Sequence, residues 1–152
     1  MKIVPFQPKF ATAFYELNVE WLESYFYVEA YDREVLSDPM HHIITPGGHI
    51  FFAVEKEQVL GCVALLKRAK DSFELTKMAV LPEARGQQIG QQLMQYCIDF
   101  AKQQQFHSLF LYSHTKLENA IYIYRKYGFK EVPLEKPNPY ERSNIKMVYS
   151  GL

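Results

Sequence analysis

No stretch of this chain stays apolar long enough to cross a bilayer, and the opening "MKIVPFQPKF" has neither the apolar core nor the cleavage site of a signal peptide. Cysteine is scarce. Cys62 and Cys97 each sit inside an apolar run and form no CxxC pair, which argues against a disulfide framework and fits a reducing compartment. An excess of either charge is also missing: 17 Lys and Arg stand against 17 Asp and Glu. A broad electrostatic grip on nucleic acid or anionic lipid therefore has no support. His41 and His42 are adjacent, and His49, His107 and His114 are scattered, so no metal-ligand spacing emerges. No Gly-x-Ser-x-Gly elbow, repeat or linker is present. The expectation is a soluble, cytoplasmic protein without a metal, forming one domain over residues 1–152 with enough chain to bury a core.

What the chain does have is aromatic residues, 11 Tyr and 11 Phe, concentrated in "FYELNVEWLESYFYVEAY" and "AIYIYRKYGF". "KIVPF" reads as a first strand. Phe10, Phe14, Leu17, Trp21, Leu22 and Tyr25 recur at helical spacing, and "YDREVLSDP" reads as a shorter helix stopped by Pro39. After "TPGG" come three runs spaced as an antiparallel meander: "HIFFAVE", "VLGCVALLKRA" and "FELTKMAV". Beyond Gly90 the period changes to helical, to about Gln105; "SLFLYSH" then reads as a central strand. "KLENAIYIYRKY" is helical and ends at Gly128, and "FKEVP" and "SNIKMVYS" supply two last strands around a Pro-rich loop. The fold class is α/β, with helices packed on a central mixed sheet.

The stretch "VLPEARGQQIGQQLM" carries the chemistry. A helix opening near Gln88 or Ile89 presents unpaired amides and a positive dipole end, which suit phosphate oxygens. Gly86 and Gly90 permit close backbone approach, and Arg85 adds a charge. No Lys-Ser or Lys-Thr follows, and the three-glycine dinucleotide pattern is not met. Taken alone, the glycines fit a plain strand-to-helix turn equally well.

Two motifs together resemble the GCN5-related N-acetyltransferase (GNAT) superfamily. Arg85-Gly86-Gln87-Gln88-Ile89-Gly90 is similar to its pyrophosphate loop, Arg/Gln-x-x-Gly-x-Gly/Ala. Tyr124-Arg125-Lys126-Tyr127-Gly128-Phe129 is similar to its helix ending in Tyr-x-x-x-Gly-Phe. Gln88 stands where the family usually has its first motif glycine, so on the usual loop path its side chain must point away from the pyrophosphate. The resemblance implies a mostly antiparallel sheet with one splayed parallel pair, "FELTKMAV" beside "SLFLYSH", and acetyl-coenzyme A between them. The pantetheine arm would pair with the backbone of Met78, Ala79 and Val80, and the pyrophosphate would sit on amides from Arg85 through Gly86, Gln87, Gln88, Ile89 and Gly90 to Gln91. Asn119 would contact the pantetheine arm or help cap its helix.

The same resemblance implies direct transfer of acetyl to a primary amine. The departing thiolate needs a proton, and Tyr124 is the family-type donor; a phenol of pKa about 10 faces a thiol of about 8.5. Tyr124 also fits the apolar face of Leu117, Ala120 and Ile121, where it would be core. Glu74 is the candidate base. Strand alternation places it on one face with Thr76, Met78 and Val80; a solvated strand glutamate is the other reading.

The acceptor cleft is expected to draw on Trp21, Glu23, Tyr25, Phe26, Glu29 and Asp32, and on Tyr140, Glu141 and Arg142. Acids and aromatics there would hold an ammonium, whereas Arg142 would suit a substrate carboxylate. The acceptor is thus a small-molecule or peptide amine, and a homodimer is left open. The alternative function is a non-catalytic acyl-coenzyme A-binding sensor or interaction module.

Overall fold

The computed structural model describes residues 1–152. After strand β1 (Lys2–Pro5), Pro8 opens a short 3-10 turn that runs into helix α1 (Ala11–Tyr25). Helix α2 (Ala30–Ser37) begins with a reciprocal cap. Glu29 accepts from the first-turn backbone, and Asp32 accepts from the Glu29 N–H at 3.1 Å. One π-helical turn, Met40–Ile44, follows Pro39 and was not legible in the sequence.

The meander is β2 (His49–Glu55), β3 (Gln58–Ala69) and β4 (Ser72–Val80). Lys56 and Glu57, both at positive φ, make the first turn, as a two-residue hairpin requires. Helix α3 (Ile89–Gln103), β5 (Ser108–Ser113), α4 (Glu118–Lys126), β6 (Phe129–Val132) and β7 (Ile145–Tyr149) complete the chain. The seven strands form one sheet in the order β1-β2-β3-β4-β5-β7-β6.

Both faces of this sheet are covered, and the alternation along β3 shows why. Val63 and Leu65 point to a core shared with Leu93, Cys97 and Ile98 of α3. Cys62, Ala64 and Leu66 point to a second core with Phe14, Leu17 and Leu22 of α1. Phe52 is fully enclosed, with the Phe10 ring 4.9 Å and the Phe14 ring 6.3 Å away. Burying a ring of this kind contributes roughly 1.5–3 kcal/mol. Burial also pushes the Cys62 thiol up to about 12, so it behaves as packing rather than as a nucleophile.

Two irregularities make the site. Strands β4 and β5 are the one parallel pair, and they are joined only from Ser72 to Glu74, opposite Ser108 to Phe110. Beyond that the strands part, leaving the β5-facing edge of Leu75–Val80 without a neighbour. The second irregularity is a bulge. Ala64 faces Thr76 and Cys62 faces Ala79, so Lys77 and Met78 together oppose Val63. Lys77 takes up the extra residue at φ 55. The expected common face for Glu74, Thr76, Met78 and Val80 is therefore corrected. Glu74 and Lys77 turn towards α2, while Met78 and Val80 pack on the α3 side.

Candidate active site

The parting of β4 from β5 opens two chambers that meet. One, of about 380 Å³, lies on the α3 side, between the loop at Arg85–Gln91 and the start of α4. The other, of about 310 Å³, lies on the α1 side, between α1, the splayed strands and the loop before β7. Met78, Val80, Arg85, Ala120 and Tyr124 border both.

At the α3 end the backbone is bare. The N–H groups of Gly86, Gln87, Gln88, Ile89, Gly90 and Gln91 have no acceptor in the protein, and no side chain caps the helix. Gly86 at φ 86 and Gln88 at φ 61 bend the loop so that successive amides form a concave nest. A methyl group on Gly90 would sit 3.5 Å from the Met78 sulfur and 3.9 Å from Val80, in the space that a ligand would use. A nest of free donors at a positive helix end fits a pyrophosphate. Gln88 is exposed and keeps the left-handed conformation that glycine adopts at less cost.

Arg85 belongs to this end in a different way. Its own N–H is taken by Pro82, so the free amides start at Gly86. Its guanidinium bonds the Val80 carbonyl at 3.2 Å and Glu20 at 2.5 Å. Asn119 borders the α3-side chamber, and its side chain makes no hydrogen bond in the protein. Leu117 holds the cap position of α4, so the capping alternative for Asn119 is not used.

Tyr124 lies where the chambers meet. Helix α4 brings it there on the face that packs towards Phe129, 6.2 Å between rings, and Gly128 at φ 103 ends the helix just beyond. Its hydroxyl has no partner in the protein, and burial raises its pKa above the ordinary phenol value. It is therefore a protonated donor at neutral pH, facing an open space.

Glu74 is placed differently. It is enclosed, with Arg68 Nε at 2.8 Å and Nη2 at 2.5 Å on one oxygen, and the Tyr140 hydroxyl donating to the other at 2.8 Å. Glu74 does not border either chamber, but Tyr140 does. Burial first, and the Glu74 charge second, hold the Tyr140 phenol well above its ordinary pKa.

The α1-side chamber has an aromatic wall. The Trp21 ring lies 5.1 Å from Tyr25 and 5.9 Å from Phe26, and Phe26 lies 6.0 Å from His114. The acids expected there are turned away. Glu23 and Glu141 are exposed outside the chamber, and Glu29 and Asp32 are bound to Arg142. Lys77, Asn18 and His114 also border it, and sequence reasoning had not singled them out for this role. For Lys77 the one available signal was a charged residue inside an apolar strand run. No group of His, Cys, Asp and Glu side chains is arranged to hold a metal ion, and no helix is long and apolar enough to cross a membrane.

Comparison with known proteins agrees with this geometry. The model of the acetyltransferase (GNAT) family matches residues 11–129. The "Probable N-acetyltransferase camello" of Xenopus laevis is 32% identical over 114 residues, covering 73% of this chain and 52% of that protein. The "Uncharacterized N-acetyltransferase YjgM" of Escherichia coli is 27% identical over 62% of this chain and 59% of its own. The chain thus spans little more than half the length of these two relatives. A GNAT-family acetyltransferase structure from Staphylococcus aureus superposes with a TM-score of 0.85 at 21% identity, covering 97% of each chain. The PaiA N-acetyltransferase of Thermoplasma acidophilum, in complex with coenzyme A, gives 0.76 at 21% identity over 98% of this chain and 99% of that one. With the family model spanning both the amide nest and the Tyr124 helix, the chain belongs to the acetyltransferase (GNAT) family.

Proposed function

We propose that the protein transfers acetyl from acetyl-coenzyme A to a primary amine by direct attack. The observation that carries the reading is the pair of chambers meeting at Tyr124, one ending in six free amides. Coenzyme A brings the acetyl group as a thioester. In this assignment the nest from Gly86 to Gln91 and the side of Asn119 hold its pyrophosphate and pantetheine. The free edge of Met78, Ala79 and Val80 orients its arm, less the Val80 carbonyl that Arg85 already occupies.

The amine enters from the α1 side. Its lone pair forms the N–C bond, the C–S bond breaks, and the Tyr124 hydroxyl gives its proton to the departing sulfur. The nitrogen then sheds one proton. Glu74 reaches the chamber only through Tyr140, so the base role falls to this pair. Tyr140 takes the proton as its own passes to Glu74 across the 2.8 Å bond.

Thiol release from acetyl-coenzyme A with a panel of amines tests this. Tyr124→Phe is expected to keep coenzyme A affinity and lose roughly a hundredfold or more in kcat. Binding of coenzyme A without amine-dependent release would favour a non-catalytic binding module instead. No binding at all would end both readings.

A further inference from the structure

Not one Asp or Glu lines the α1-side chamber; its charged groups are Lys77, Arg85 and Arg142. Arg85 serves the coenzyme end. Lys77 and Arg142 are mounted together on one buried anion. Lys77 Nζ donates to Asp32 Oδ1 at 2.7 Å, and Arg142 Nη2 donates to the same oxygen at 3.1 Å. Arg142 Nη1 reaches Asp32 Oδ2 at 2.5 Å and Glu29 at 2.8 Å. The Asp32 side chain is 0% exposed and lies behind the two cations, which border the chamber.

The donors are not used up. An ammonium has three N–H bonds and a guanidinium five. Lys77 has one hydrogen-bond acceptor in the protein and Arg142 has three bonds, so each keeps two N–H groups without an acceptor, with the Tyr140 ring 5.0 Å from Lys77 Nζ and 4.6 Å from Arg142 Cζ. The Lys77 side chain is only 2% exposed, and Lys77 borders the chamber. Buried donors left without partners are costly, and the chamber is where partners would come from. Burial opposes the charge on Lys77. That burial holds the Lys77 pKa below its ordinary value although Asp32 works against it, and Asp32 in turn, against its own burial, is held below its ordinary value by Lys77 and Arg142.

Resting on the transferase reading, we infer that the acceptor is a free α-amino acid with an apolar side chain. Its carboxylate bonds Lys77 and Arg142, its side chain packs on Trp21, Tyr25 and Phe26, and its amine points to the junction at Tyr124. A polyamine would bring a second ammonium against two cations. A peptide N-terminus would offer a neutral carbonyl where the carboxylate should be.

The test compares kcat/KM for L-phenylalanine, phenethylamine, L-phenylalaninamide and spermidine. L-phenylalanine should exceed each of the others by roughly tenfold to a hundredfold, the range for one or two charge-assisted hydrogen bonds. The paired variant Lys77→Met with Asp32→Asn removes both charges together, and Arg142→Gln leaves the Lys77–Asp32 bond in place. Each should raise KM for L-phenylalanine at least tenfold more than it raises KM for phenethylamine, and keep coenzyme A affinity. Equal or faster turnover of phenethylamine, the amide or spermidine overturns the amino-acid assignment while the transferase stands. Coenzyme A binding with no turnover of any of the four also overturns it. Failure to bind coenzyme A overturns the transferase reading on which it rests.

Discussion

Replacing Gly90 by alanine sets stability and ligand binding against each other, which tests the nest directly. The added methyl would lie 3.5 Å from the Met78 sulfur and 3.9 Å from Val80, both ordinary contacts, so the fold has room for it. Gly90 follows Ile89 in the first turn of α3, where alanine is favoured over glycine by up to about 1 kcal/mol. For a chain of this size that is an upward shift in Tm of up to about 2–4 °C. The same methyl fills the approach to the amides of Gly90 and Gln91. Losing one hydrogen bond to a charged phosphate costs about 1.5–3 kcal/mol, or roughly 10- to 150-fold in Kd. Thermal unfolding of the free protein and calorimetric titration with coenzyme A read the two effects separately. Unchanged affinity would refute the nest as the pyrophosphate site, and a marked fall in Tm would refute the contact geometry around Gly90.

Other expected outcomes follow from the titrating groups and the core. Because burial raises the Tyr124 phenol, kcat/KM should climb as the amine deprotonates and show no alkaline loss below about pH 10; a fall near pH 8 would exclude Tyr124 as the acid. Tyr140→Phe cuts the path from the chamber to Glu74 and should lower kcat at least about tenfold with coenzyme A affinity kept; an unchanged kcat removes the Glu74–Tyr140 pair from the reaction. Asp32→Ala strands the buried Lys77 and leaves Arg142 with Glu29 alone, and should cost about 3–5 kcal/mol, seen as a shift of the urea midpoint. Lys77 and Arg142 hold the folded-state carboxyl of Asp32 below its ordinary value. Its stabilisation is therefore complete above about pH 4 and lost as pH falls through the lowered value; wild type should become acid-labile there and Asp32→Asn much less so. Phe52→Ala should cost about 3–5 kcal/mol in the same denaturation assay.

The strands and main helices were legible because each carries its own period: the meander, the α3 repeat and the Gly128 stop all lie in local sequence. The coenzyme half was legible for the same reason, since the nest is built from one continuous loop. The acceptor half was legible only in members such as Trp21, Tyr25, Phe26, Tyr140 and Arg142, which border the α1-side chamber, and not in how it is tied together. It joins Asp32 of α2, Lys77 of β4 and Arg142 of the last loop through bonds that span up to 110 residues. Parity failed there too, since strict alternation cannot anticipate a bulge at a lysine. Glu74 looked like a base by position, but its enclosure by Arg68 and Tyr140 depends on a loop that arrives 66 residues later.

That bulge has a further consequence for how the chain tolerates change. A strand of regular pleat offers each of its faces every second residue, so its two sides cannot be adjusted independently. By spending one extra residue at Lys77, β4 resets its phase midway, so that alternate residues on the α1 face before that point are followed by alternate residues on the α3 face after it. Straightening the strand with every residue kept would turn Met78 and Val80 towards α1, away from the nest, although every amino acid that would touch coenzyme A was still present, whereas deleting Lys77 would leave both facing α3. The phase of this strand, more than its composition, keeps the two proposed halves in step.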